Sequence, residues 1–377
     1  MALQYRTLPL TGLALLLALA ACSHGEPFGA PDHELDGPLA GGQPARLTFG
    51  TAVGDAAWTP DGAAIVYAGG RHVGDRLDRC LSILPAEGGT VRREICNPSL
   101  FDASITDFFA TPYVSAGDQL AFYYANMPGG GTPAFEGIYA TTLAAPAVTT
   151  AVRSLPFLGA DGLFYKSISH LRWLGESEVV FIAYAEAVVI PCEGCDAEVI
   201  PHPRTLFRSG AGAGAALAPV PGTEFATSVA VGATADEIYF TLANDSRIYH
   251  RMLSSGAQSV VHEFGAEGIA RDVHFGGGRL TAIVGGKVQV IVDLVGPLQA
   301  SDEGGHLYLL EPATGAVTRL SGDGRWFRRP ALSPTGAALV GEGFTVVIDQ
   351  DPNAPPDTPG LDTTVSPAGD LWRYGTP

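Results

Sequence analysis

Six residues recur at one place in a repeated phrase, and their types are those that bind ions and polar ligands: Asp55, Asp107, His170, Ser228, Asp272 and Arg329. Carboxylate oxygens and imidazole nitrogens are donors to divalent metals, so Asp55, His170 and Asp272 brought together could hold a metal such as calcium. With Arg329 added, the set also suits a small polar ligand. The competing reading is that these groups bond one another and water, as polar residues at the mouth of a closed β channel ordinarily do. A second candidate is the run Arg325-Trp326-Phe327-Arg328-Arg329. Trp and Arg are enriched at the energetic centres of interfaces, which marks Arg325 and Trp326 for partner contact, unless Trp326 and Phe327 pack internally.

The five cysteines fall into three groups. Cys80 and Cys96 are symmetric about a turn near Gly88, which sets them opposite each other on two strands and predicts a cross-strand disulfide. Cys192 and Cys195, in Pro-Cys-Glu-Gly-Cys, could close a small disulfide loop, bind metal or exchange redox equivalents. A single C-x-x-C without a second pair is weak for zinc, so a structural disulfide is expected there too. Cys22 closes the run Leu19-Ala20-Ala21-Cys22, after Arg6 and an apolar stretch from Leu8 to Ala21 that is too short to span a bilayer.

Several chemistries are excluded. There is no phosphate-cradling P-loop, no H-E-x-x-H zinc helix and no G-x-S-x-G nucleophile elbow. Asp349-Gln350-Asp351-Pro352-Asn353 begins like a calcium loop, but Ala354 stands where Gly is needed and Gly360 where the closing Glu is needed. A net charge of −17 leaves no general basic face for nucleic acid.

The candidate residues must be positioned by strands. Asp55 to Tyr67 reads as an apolar strand ending at Trp58, a tight turn at Pro60-Asp61-Gly62, and a second apolar strand through Ile65 and Tyr67. Five variants follow, at Phe108–Phe122, His170–Phe181, Ser228–Phe240, Asp272–Ile283 and Arg329–Val340, spaced by about 55 residues, within reach of propeller repeats. With 48 Gly and 28 Pro and little material for long amphipathic helices, the chain is read as all-β: a six-bladed β-propeller of four-stranded antiparallel blades. Blade six stops at Tyr374, one strand short. Arg46-Leu47-Thr48 resembles the Arg319-Leu320-Ser321 that ends blade five, so the N-terminal strand is expected to complete the last blade and close the ring. The six candidate residues would then stand at the channel mouth, on the face that also carries the long connections between second and third strands.

The Cys22 run resembles the bacterial lipobox. That likeness implies a signal peptide over 1–21, a lipidated Cys22, and a Gly/Pro-rich tether over 22–44 ahead of a propeller over 45–377. Ser23, rather than Asp, after the cysteine implies the outer membrane, facing the periplasm. W-T-P-D-G at Trp58, S-P-T-G at Ser333, H-L-Y-L-L-E-P-A-T-G-A-V-T-R-L-S from His306 and D-L-W-R-Y at Asp370 resemble the WD-like repeats of the TolB propeller family. The resemblance implies a binding function in the bacterial envelope. The leading expectation is a membrane-anchored lipoprotein whose long-loop face binds an envelope protein or a cell-wall component. The alternative is a metal-dependent propeller hydrolase or lactonase with its site at the channel mouth.

Overall fold

The computed structural model describes residues 44–48, 52–73, 76–96, 105–128, 135–189, 198–201, 204–212, 214–285, 288–289, 300–301, 304–322, 325–348, 363–365 and 369–377. Cys22, the 22–44 tether, Cys192 and Cys195 lie outside them.

The repeated phrase folds as its turn chemistry dictates. In the first repeat, Asp61 Oδ1 accepts from Thr59 Oγ1 (2.6 Å) and from the Ala63 N–H (3.0 Å), while Gly62 takes the left-handed conformation (φ 69°) that reverses the chain. Trp58 and Ile65 then face each other across the new hairpin.

Six four-stranded antiparallel sheets result, each with strands a to d in chain order. Blade one comprises Ala52–Trp58, Ala64–Val73, Arg76–Pro85 and Arg92–Cys96; blade two Ile105–Val114, Gln119–Pro128, Phe135–Thr142 and Ala145–Ser154. Blade three comprises Phe164–Leu174, Glu178–Val189, Thr205–Gly210 and Leu217–Pro219, with a short strand, Phe157–Leu158, paired ahead of strand a. Blade four is Ala226–Val231, Glu237–Leu242, Arg247–Met252 and Gln258–Glu263; blade five Ile269–Gly276, Arg279–Gly285, His306–Glu311 and Ala316–Arg319. Blade six is Arg325–Leu332, Ala338–Ile348 and Asp370–Gly375, completed by Ala45–Arg46.

Strand a of each blade touches strand a of the next, and blade six touches blade one, so the a strands ring a central channel. Between successive blades lie six apolar clusters, one per interface. Each buries large side chains outright: Phe122 between blades one and two, Phe181 and Phe207 between two and three, Phe240 between three and four, Phe327 and Tyr374 between five and six. Burial of this kind contributes about 1.5–3 kcal/mol per large side chain, and here it welds neighbouring sheets face to face. The a–b turns also approach closely: a Cβ on Gly277 of blade five would lie 2.2 Å from the Thr335 carbonyl carbon of blade six.

Ring closure uses the same device as two other blades. Leu47 N–H donates to Leu371 O (2.7 Å) and Leu371 N–H to Thr48 Oγ1 (2.8 Å). In blade five Leu320 N–H donates to Leu307 O (2.7 Å) and Leu307 N–H to Ser321 Oγ (2.9 Å). In blade three Val220 and Thr223 hold Leu206 in that way. The closing strand adds an ion pair: Arg46 Nη2 lies 2.5 Å from Asp370 Oδ2, and Thr48 Oγ1 donates to Asp370 Oδ1 at 3.0 Å. The expected clasp by Arg46-Leu47-Thr48 is therefore present, as is the disulfide joining Cys80 to Cys96 across strands c and d of blade one.

Asp370→Ala should cost about 3 kcal/mol in urea unfolding, because it leaves Arg46 without its partner in a partly enclosed site. Arg373→Ala, whose partner Glu87 is exposed, should cost less than about 0.5 kcal/mol. Reducing Cys80–Cys96, which closes a loop of sequence separation 16, should lower stability by about 3 kcal/mol in the same assay.

Candidate functional site

Every a strand carries one register shift against its b strand, and the shifts fall at the channel: Val53/Ala56, Ala110/Tyr113, Ser169/Arg172, Ala226/Ser228, Arg271/His274 and Arg328/Ala331. A bulge of this kind re-aims one side chain out of the pleat. Four of the bulge residues adopt left-handed backbone despite having a Cβ: Thr111 (φ 47°), His170 (51°), Asp272 (49°) and Arg329 (52°). Such conformations cost about 1–3 kcal/mol each and persist where the surroundings enforce them.

Asp55, Thr111, His170, Ser228, Asp272 and Arg329 occupy equivalent positions around the mouth. In blade two the position belongs to Thr111. Asp107 pairs with Asn126 earlier on the strand, and its side chain lies outside the described residues. The expectation for blade two counted from the first apolar residue, whereas the strand starts earlier, at Ile105. Counting back from the left-handed turn residues Gly62, Asp118 and Gly336 finds Asp55, Thr111 and Arg329 at one common distance.

The mouth residues bind each other. Asp55 Oδ2 accepts the Thr111 N–H (2.9 Å), Ser228 Oγ the Val273 N–H (3.0 Å) and Asp272 Oδ2 the Arg329 N–H (2.9 Å), each bond passing from one blade to the next. Arg329 Nε stands 3.5 Å from Asp55 Oδ1, joining blade six to blade one. His170 Nε2 reaches Asp272 Oδ1 at 3.0 Å, from blade three past blade four to blade five. Burial alone would raise the Asp272 pKa. The hydrogen bond and charge of His170, with the N–H and guanidinium of Arg329, outweigh it and hold the carboxyl well below its usual range.

Two residues deeper lies a second layer that the sequence reading missed: Tyr113, Arg172 and His274. The Arg172 guanidinium sits 5.0 Å over the Tyr113 ring, and that ring lies 6.1 Å from His274, so blades two, three and five meet across the channel. His274 Nδ1 accepts the Leu332 N–H at 3.1 Å. Burial first, and then the Arg172 charge, hold His274 far below its ordinary pKa and keep it neutral. Burial likewise raises Tyr113 and lowers Arg172.

The proposed metal ligands are committed elsewhere: Asp55 to Arg329 and Thr111, Asp272 to His170 and Arg329. Among the described residues no three His, Cys, Asp or Glu side chains stand together as a metal cage. Trp326 is half-buried with its ring 6.1 Å from His306, while Phe327 is fully buried against Tyr374. Arg328 is clamped by Glu342 through Nε (2.5 Å) and Nη2 (2.6 Å). The Arg325 side chain lies outside the described residues.

No family model matches the chain, and no curated protein matches it. Among solved structures it is similar to a gluconolactonase from Xanthomonas campestris, with 14% identity and a TM-score of 0.49 over 90% of this chain and 91% of that one. It is also similar to an oligogalacturonate lyase from Vibrio parahaemolyticus, with 11% identity and a TM-score of 0.46 over 89% and 94%. TolB from Acinetobacter baumannii matches at 11% identity and a TM-score of 0.44, over 87% of this chain and 64% of that one.

Because the Asp272 pKa is lowered on folding, its stabilisation is complete above the ordinary aspartate value of 3.8 and is lost as pH falls from there toward the depressed value. Asp272→Asn should therefore be less stable than the parent at neutral pH. Its midpoint should also vary less with pH below about 4, as measured by thermal melts from pH 2 to 7.

Proposed function

We propose that the protein is a lipid-anchored binding module of the bacterial envelope that engages another envelope protein through one face of the propeller. The observation that carries this reading is the placement of exposed large apolar side chains. Strands a and c both start on the face bearing the d–a and b–c connections. Phe108 and Phe164 stand in the first parts of two a strands, Phe135 opens a c strand, and Leu158 and Phe225 lie on d–a connections. All five belong to the part of that face formed by blades two to four, and Phe135, at 65%, is the most exposed. Large apolar side chains gathered on one side of a monomer mark a contact surface, and aromatic anchors suit a protein more than a polar wall polymer.

The tether supports the same reading: Cys22 in its lipobox-like run would hold the body near a membrane while leaving this face in water. The alternative, a metal-dependent hydrolase or lactonase at the mouth, would require Asp55, His170 and Asp272 to release the partners described above.

Photo-cross-linking side chains placed at Phe135 and Phe164 of the full chain in its host should give discrete adducts. The same groups at Glu87 and Ser254, in c–d turns on the opposite face, should give none. Equal labelling of both faces would reject the assignment. Cys22→Ser should move the protein from the membrane to the soluble fraction and abolish incorporation of labelled fatty acid.

A further inference from the structure

The inner channel contains a charge that the protein itself does not balance. Arg172 is 9% exposed. Among the described residues its hydrogen bonding is limited to Nη1, which donates to the neighbouring Leu171 carbonyl at 2.8 Å, and its Nε is buried with no partner. The two nearby carboxylates are already engaged, Asp55 by Arg329 and Asp272 by His170. A water molecule can fill an unused hydrogen bond but cannot neutralise a buried guanidinium, and an uncompensated buried charge is among the costliest features a fold can retain.

Two further polar atoms on the same pair of blades lack partners. Thr111 is 4% exposed and its Oγ1 is unbonded; His170 Nδ1 is buried and unbonded. The His170 tautomer follows from its neighbour. Asp272 Oδ1 is a carboxylate oxygen that can only accept, so the proton between them is on Nε2 and Nδ1 of the neutral ring is an acceptor. A ligand here therefore meets a cationic fork with the Nε and Nη2 edge free, a hydroxyl, and a lone-pair acceptor one layer above the fork.

We propose that the channel binds a small organic acid. Its carboxylate would lie in the fork of Arg172, and a hydroxyl or ammonium on the adjacent carbon would donate to His170 Nδ1. An Arg edge and a carboxylate match in planar, two-bond geometry, which an ammonium from Lys cannot reproduce. Thr111 Oγ1 supplies a second donor to the acid, and Arg329, 31% exposed, stands over the entrance. The site is independent of the apolar face, and neither depends on the other being occupied.

The test is calorimetric titration of the full chain in detergent at neutral pH. The ligands are lactate, both enantiomers of alanine, acetate, the corresponding amides, inorganic phosphate, and short peptides with free or amidated C-termini. Saturable one-to-one binding is expected for lactate or alanine, weaker binding for acetate, and none for the amides. Arg172→Lys should weaken binding about tenfold or more, and Arg172→Met should abolish it while the thermal midpoint holds or rises. The assignment is overturned if no acid binds below about 10 mM, if the amides bind as well as the acids, or if Arg172→Met binds as the parent does. Binding confined to peptide termini, or to phosphate, would also overturn it, since the carboxylate would then not be that of a small acid. The amide and peptide arms need no variant, so the outcome stands even if Arg172→Met fails to fold.

Discussion

A propeller is stable only if its last sheet finds its first, and here that requirement rests on one polar clasp. Ala45 and Arg46 supply just two paired residues, yet Arg46 and Thr48 both engage Asp370, and Leu47 enters the apolar cluster shared by blades six and one. Trp58 reinforces the seam by donating from Nε1 to the Ala331 carbonyl at 2.8 Å. Without this seam the c strand of blade six would be an unpaired edge, and the packing of every interface would depend on sheets free to splay.

Closure sets the terms for the channel. With the a strands fixed in a ring, the six bulges can hold side chains across a narrow space, and four non-glycine residues can be kept in left-handed backbone. The mouth layer then becomes self-satisfied through Asp55–Arg329 and His170–Asp272. The layer below does not, because the residues at the equivalent inner positions of blades one, four and six are Ala57, Ala230 and Ala331, which offer Arg172 no counter-charge. Small residues on one side of the axis and Arg172, Tyr113 and His274 on the other give the channel its asymmetry.

Much of this architecture was legible in the chain because it repeats. The Trp58-Thr59-Pro60-Asp61-Gly62 turn and its echo at Ser333 announced the hairpins, and the likeness of Arg46-Leu47-Thr48 to Arg319-Leu320-Ser321 announced the closure, down to the hydroxyl that accepts from the neighbouring strand. Local pattern does not encode which side chains meet across a ring. Asp107 drew attention as an acid ahead of an apolar run, but register against Asn126 assigns the mouth position to Thr111. Arg172 sat inside what reads as an ordinary strand, Ile168 to Leu174, and only the approach of Tyr113 from another blade reveals it as a channel residue. Trp326 and Phe327 divide similarly: one is half-exposed and the other is core, a distinction set by strand alternation against blade five.

The clasp joins residues 324 positions apart, and that separation carries a cost in time. At about 5–20 residues per second of synthesis, Arg46 emerges roughly 15–65 s before Asp370 exists. Blades one to five can form hairpin by hairpin from local contacts during that interval, but the first strand has no sheet to join until the final residues arrive. The nascent protein is thus an open arc with an unsatisfied strand at its leading end and a growing edge at its trailing end. How that arc is shielded from pairing with another copy of itself decides the yield of closed rings, and the final few residues of the chain act as the latch.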